Sequence, residues 1–129
     1  MLFRSGRIST KLIWAALAHD LAESITGDVP ATAKWENEHL DTELSIVEKK
    51  FNQNHDIDFK LTADEHNLMS AADKMELVLF CTEQMMLGNS TMRAVRDRGV
   101  EYCAGLKFTD NDVFYRMINF LTGCYDECE

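Results

Sequence analysis

Apolar positions recur at helical spacing along nearly the whole chain. Leu12, Ile13, Ala16, Leu17, Leu21 and Ile25 predict a first helix over residues 8–25, with Ser9 or Thr10 available as its N-cap. Thr26-Gly27-Asp28-Val29-Pro30 then breaks the pattern, because Gly27 suits a left-handed C-terminal position and Pro30 cannot continue the hydrogen-bond ladder. Leu40, Leu44, Val47 and Phe51 line one face of a second helix whose other faces carry Glu and Lys, and residues 52–59 read as a polar loop. Thr62 and Glu65 form a capping box for a long helix with a stripe of Leu68, Ala72, Met75, Leu79 and Met86, ended by Gly88-Asn89. Thr91 opens another helix with Met92 and Val95, less regular after Gly99. Thr109 caps the last one, with Asp110 and Asp112 in its first turn and Val113, Phe114, Met117, Ile118 and Leu121 on its apolar face. No segment reads as a strand. The expected fold is an all-α bundle of about five helices.

Composition fits that picture and narrows the partners. With 129 residues, 46% of them apolar, the chain is sized for one domain that buries roughly two-thirds of its unfolded surface. One proline and six glycines exclude a collagen-like or turn-rich all-β protein. No apolar run nears the roughly 20 residues of a membrane span, and no signal peptide opens the chain, so a cytoplasmic location is expected. Twenty-two acids against 13 bases leave a net charge of −9. Lys11, Lys49, Lys50, Arg93, Arg96 and Arg98 are scattered among those acids, which argues against binding duplex nucleic acid or a membrane surface. An anionic ligand would need a local reversal of sign, such as a bound divalent cation. Cys81, Cys103, Cys124 and Cys128 show no C-x-x-C spacing and read as reduced, small side chains.

The chemistry concentrates around His19-Asp20, late in the first helix. Burying either side chain unpaired is expensive, so the pair is either a hydrogen-bonded structural element or part of a site. Glu23 lies four residues after His19 and three after Asp20, on a common side of the helix. Asp28 follows at the helix end, and a second Ala-Asp pair, Ala72-Asp73, interrupts the stripe of the long helix. Inward acids with almost no basic partner repel one another in a core. A divalent cation held by His19, Asp20 and Asp73 resolves that repulsion, and N and O ligands suit Mn²⁺, Fe²⁺, Co²⁺ or Zn²⁺.

Ala18-His19-Asp20-Leu21-Ala22-Glu23, the Thr26–Pro30 turn and Ala72-Asp73 together resemble the HD-domain metal-dependent phosphohydrolases. Within them the chain is similar to the 5′-deoxynucleotidase branch and to phage dATP triphosphohydrolases. The likeness runs through Lys34-Trp35 and Glu83-Gln84 to Leu87-Gly88-Asn89 and covers residues 12–100. The resemblance implies an HD-type helical bundle, with one divalent metal ion as cofactor and a deoxynucleotide as substrate. It assigns His19, Asp20 and Asp73 as metal ligands and Glu23 as the acid that orders the attacking water. Asp28 becomes the acid that orients the nucleophile or protonates the departing 5′ oxygen, and Lys34 a phosphate contact, against the plainer reading of a solvated loop lysine. Trp35 reads as core rather than as a stacking platform. The implied reaction removes phosphate from deoxynucleoside 5′-monophosphates. The alternatives are triphosphohydrolysis of a dNTP, or a catalytically degenerate helical interaction module.

The family also uses a further metal-binding histidine, in an upstream Glu-His-Ser, and an upstream Arg-Trp pair. Neither occurs in the 18 residues before His19, where residues 1–6 carry no helix signal. The expectation is a single HD-type domain over 1–129, N-terminally truncated relative to the family. His66 lies about 10 Å of helical rise from Asp73, too far to share one ion, and it reads with His39 and His55 as exposed. Truncation would uncover the apolar face of residues 12–25, and the resemblance itself implies a homodimer.

Overall fold

The structure is a computed structural model that describes residues 9–126, with side chains to residue 123. The described chain falls into two compact units, residues 9–60 and 61–126. Every regular element among the described residues is helical, so the all-α class stands. None of these helices is long and apolar enough to cross a membrane. The readings made for residues 1–6 and for the side chains of Cys124 and Cys128 lie outside the described residues.

The first unit holds α1 (Thr10–Ala18), α2 (Glu23–Thr26), α3 (Ala31–Glu36) and α4 (Glu38–Asn54). Ser9 is the N-cap of α1, its hydroxyl accepting from Leu12 N at 3.1 Å. The helix expected over residues 8–25 is split. Between α1 and α2 the chain winds with i→i+3 bonds, Leu21 N to Ala18 O, Glu23 N to Asp20 O and Ser24 N to Leu21 O. The buried face also differs from the expected one. Leu12, Ala15, Ala18 and Ala22 are buried, while Ile13, Leu17, Leu21 and Ile25 are exposed, Leu17 by 74%. Apolar letters occupy almost the full circumference of Thr10–Ala18, so periodicity could not choose a face, and the buried side is the one with the smallest side chains.

Gly27 then turns the chain with φ 70° and ψ 167°. That region is essentially closed to residues with a Cβ, a stricter demand than the left-handed helical position expected there. Asn37 caps α4 by accepting from His39 N and Leu40 N at 3.1 and 3.2 Å. α4 runs to Asn54, so the first part of the expected loop is helical. The His55 ring closes the helix by stacking on Phe51 at 4.2 Å. α3 and α2 pack on α4.

The second unit holds α5 (Ala63–Met86), a 3-10 turn at Ser90–Met92, α6 (Arg93–Gly105) and α7 (Asn111–Asp126). Both halves of the Thr62–Glu65 capping box are formed. α5 packs against α6 and α7 around Ala71, Val78, Cys103, Met117 and Leu121, with Met75, Val100, Phe114 and Ile118 at the margin. The expected α5 stripe is out of phase at Ala72, Leu79 and Met86. Ala72 and Leu79 are exposed and Met86 is 62% exposed, whereas Ala71, Val78, Cys81 and Thr82 are buried. The unbroken run Leu77-Val78-Leu79-Phe80-Cys81 supports either phase, and packing against α6 selects Val78: a Cβ on Gly99 would stand 2.8 Å from Val78 Cγ2, so these helices are in backbone-close contact.

Thr91 sits in the 3-10 turn rather than opening α6, and α6 continues past Gly99 to Gly105. Asp110, not Thr109, precedes α7 and accepts from Asp112 N at 2.9 Å. Thr109 N instead donates to Asp64 Oδ1 at 3.1 Å, and Asn67 Nδ2 donates to Lys107 O at 2.7 Å. These two bonds tie the α6–α7 connection to the start of α5.

Candidate active site

His19 closes α1, its backbone N–H still bonded to Ala15 O. Its Nδ1 lies 2.8 Å from Ala16 O. A carbonyl only accepts, so Nδ1 carries the proton there and Nε2 is left as the outward atom. Nε2 lies 3.1 Å from Asp20 Oδ1, with the side chains 35% and 64% exposed. A bare lone pair facing a carboxylate at that distance is repulsive. A divalent cation held between the nitrogen and the carboxylate oxygen would turn that repulsion into attraction. The backbone-held ring with an imidazole nitrogen and a carboxylate oxygen side by side fits borderline divalent ions.

The i→i+3 winding after His19 brings in Glu23. In such a winding, side chains three apart eclipse, which sets Glu23 over Asp20. Burial raises the Glu23 carboxyl above its ordinary value, and the negative charges of Asp20 and then Asp28 raise it further. Lys34 and His19 oppose them. Asp28 is exposed just past the Gly27 turn, and Lys34 lies in the last turn of α3, which starts after Pro30. Four of the six residues singled out in the sequence thus act on the carboxylate of a fifth, Glu23, in the first unit: Asp20 and Asp28 raise it, Lys34 and His19 lower it.

Asp73 lies on α5 in the second unit. The expectation of an inward acid without a basic neighbour is corrected here. Asp73 is 51% exposed, and its Oδ2 accepts from Lys74 Nζ at 2.9 Å. Lys74 also stands over the Tyr102 ring, 5.9 Å from its centroid. The signal for this pair in the sequence is the adjacent lysine, Lys74. Among the described residues no three His, Cys, Asp or Glu side chains converge as a ready-made ion site. His39, His55 and His66 are exposed as expected. Trp35, read as core, is 42% exposed, since α3 is too short to bury a full face.

The family model described as 5'-deoxynucleotidase YfbR-like matches residues 4–120. The chain belongs to this family of HD-domain phosphohydrolases. Among curated relatives, the 5'-deoxynucleotidase yfbR of Photorhabdus temperata is 28% identical over 92% of this chain and 68% of its own length. A 5'-deoxynucleotidase of Cronobacter sakazakii is 26% identical over 79% of the chain and 59% of its own. The 5'-deoxynucleotidase YfbR of Salmonella typhi is 29% identical over 64% and 49%. The chain thus spans about half to two-thirds of the length of these YfbR-like relatives. No solved structure matches it.

Proposed function

We propose that this YfbR-like chain is a divalent-metal-dependent phosphohydrolase that removes phosphate from deoxynucleoside 5′-monophosphates. The observation that carries the reading is the Glu23 carboxyl, raised by burial, Asp20 and Asp28 beside the outward-facing His19 Nε2. The names of its relatives point to the same substrate class. His19 and Asp20 would hold the ion, with Asp73 as a further ligand on the strength of the Ala72-Asp73 motif. When bound, such an ion polarises a phosphoryl oxygen and makes water easier to deprotonate.

The remaining work falls to the chain itself. Hydrogen bonding to Ala16 O fixes the His19 ring so that Nε2 stays the available donor. A carboxylate with a raised pKa is a better proton acceptor near neutrality, which suits Glu23 to take a proton from the attacking water. Asp28, exposed after the Gly27 turn, would pass the proton that Glu23 takes from water on to the departing 5′ oxygen. Lys34 supplies the positive charge that offsets the substrate phosphate in an acidic neighbourhood. The buried, reduced Cys81 and Cys103 suit a cytoplasmic setting, and the family resemblance favours a homodimer, which light scattering would test.

The deciding experiment is phosphate release from a panel of dNMPs and dNTPs with Mn²⁺ or Co²⁺, alongside Glu23→Ala and Asp73→Ala. Metal-dependent release of phosphate from monophosphates, lowered by both substitutions by roughly 10²-fold or more, is the expected result. Release of triphosphate from a dNTP would transfer the reading to triphosphohydrolysis. Absence of turnover by folded, metal-binding chain would leave a degenerate interaction module.

A further inference from the structure

Trp35 directly follows Lys34 in the chain and is 42% exposed. Along α3, Thr32, Trp35 and Glu36 are exposed, while Ala31, Ala33 and Lys34 are half-buried. α3 packs on α4, so its small alanines are sheltered and its largest apolar side chain is the open one. Covering a tryptophan ring is among the largest apolar gains a fold can make, and here much of it is forgone. The backbone at this point is well fixed all the same. Asn37 N donates to Lys34 O at 3.3 Å, and the Asn37 side chain accepts from His39 N and Leu40 N to cap α4. Trp35 is thus an open ring on a held backbone.

We infer that Trp35 is the platform on which the base of the substrate stacks while Lys34 takes its phosphate. This rests on the reading of the chain as a deoxynucleotide phosphohydrolase. A deoxynucleoside monophosphate carries an anion at one end and a flat π system at the other, one deoxyribose apart. Lys34 and Trp35 offer the matching pair, a cation and a ring, on Cα atoms about 3.8 Å apart. Their side chains leave the helix about 100° apart, so each end of the substrate meets its own group. The Lys34 charge is felt at the Glu23 carboxyl, which sets the cation toward the reacting end. α2, which Glu23 opens, and α3 both pack on α4, so carboxylate and ring belong to one small set of helices. Stacking also suits an acidic chain. It calls for no positive charge beyond Lys34, and an aromatic face accepts any of the four bases.

The test uses phosphonate isosteres of dAMP and of deoxyribose 5-phosphate, in which a methylene replaces the bridging 5′ oxygen and blocks hydrolysis. Each is titrated by calorimetry into the full chain with Mn²⁺, comparing wild type with Trp35→Ala, Trp35→Leu and Trp35→Phe. Circular dichroism verifies that each variant keeps its helical content. Wild type is expected to bind the dAMP isostere about five- to 150-fold more tightly than the isostere without a base. Trp35→Ala should bring that ratio to within about twofold of one, and Trp35→Phe, which keeps a ring, should hold most of it. Trp35→Leu, apolar but without a ring, gives the same reading if the alanine variant folds poorly. In turnover of dAMP itself, loss of the ring should raise KM and leave kcat within about threefold, as expected for uniform binding. If the ratio is near one in wild type, or survives loss of the ring, the stacking role is overturned and the phosphate reading stands. If neither isostere binds, the nucleotide reading itself falls, and the platform with it.

Discussion

The contact between α5 and α6 offers a sharp test of the second unit, because one glycine carries it. A methyl group placed on Gly99 would lie 2.8 Å from Val78 Cγ2. That is about 0.7 Å inside the distance of roughly 3.5 Å at which carbon atoms rest. Val78 is fully buried and β-branched, so in a helix it has essentially one rotamer and cannot swing aside. The helices must part instead, at a cost of about 1–3 kcal/mol for overpacking. Against this, alanine is favoured over glycine in a helix interior by about 1 kcal/mol. Gly99→Ala should therefore destabilise the chain by roughly 0–2 kcal/mol. Gly123→Ala in α7, where an added Cβ would meet nothing within 4 Å, should stabilise it by about 1 kcal/mol. Urea unfolding followed by far-ultraviolet circular dichroism separates the two. The double variant Gly99→Ala/Val78→Ala should be more stable than the sum of its parts, with a coupling of about 1 kcal/mol or more. If Gly99→Ala moves the urea midpoint upward together with Gly123→Ala, the close approach of the two helices is wrong.

Two further predictions concern titrating groups. The folded Glu23 carboxyl lies above its ordinary value, so the folded state holds that proton more tightly than the unfolded chain. Its contribution to stability is present below the unfolded pKa and is lost as pH rises through the folded one. Glu23→Gln should thus raise the melting temperature at pH 7 and leave it unchanged at about pH 3, well below the ordinary carboxylate value; an equal gain at both would refute the charge argument. Burial pushes the Cys81 and Cys103 thiols up, with Arg96 and Lys74 respectively pulling the other way, so little thiolate is available. In native protein at pH 8, mass spectrometry of iodoacetamide-treated peptides should find both unmodified until denaturant is added, and modification at the rate of a free thiol would contradict their burial.

Helix positions were legible in the sequence where local chemistry fixes them. Ser9, the Thr62–Glu65 capping box and the glycine turns at 27 and 88 all stand where their side chains or their lack of one demanded. Which face of a helix turns inward was legible only where polar residues mark the opposite side. The last helix met that condition, and Met117 and Leu121 are buried as the pattern required. The first did not: Lys11 and the residues up to Ala18 offer no polar stripe, and the expected Leu17 became one of the most exposed apolar side chains. Short elements were also hidden, since the six residues of α3 are too few to show a period. Caps shifted by one, as with Asp110 in place of Thr109, because adjacent residues competent to cap differ only in where their backbone ends up.

The cluster of charges around Glu23 was legible for a different reason. The spacing of His19, Asp20 and Glu23 was read as one side of an α-helix, and the chain there is not α-helical. The argument survives because the i→i+3 winding eclipses residues three apart, which brings Asp20 and Glu23 closer in angle than the α-helix would. Tighter winding also frees the His19 ring at the helix end, where Ala16 O can take its Nδ1 proton. The Gly27 conformation then carries the chain to Asp28 and on to Lys34, so that one short stretch delivers two charges that raise the Glu23 carboxyl and two that lower it. A continuous α-helix through Ile25 would separate these groups by rise and rotation. The break in the first helix, which sequence periodicity did not reveal, is therefore the local structure on which the electrostatics of Glu23 depend.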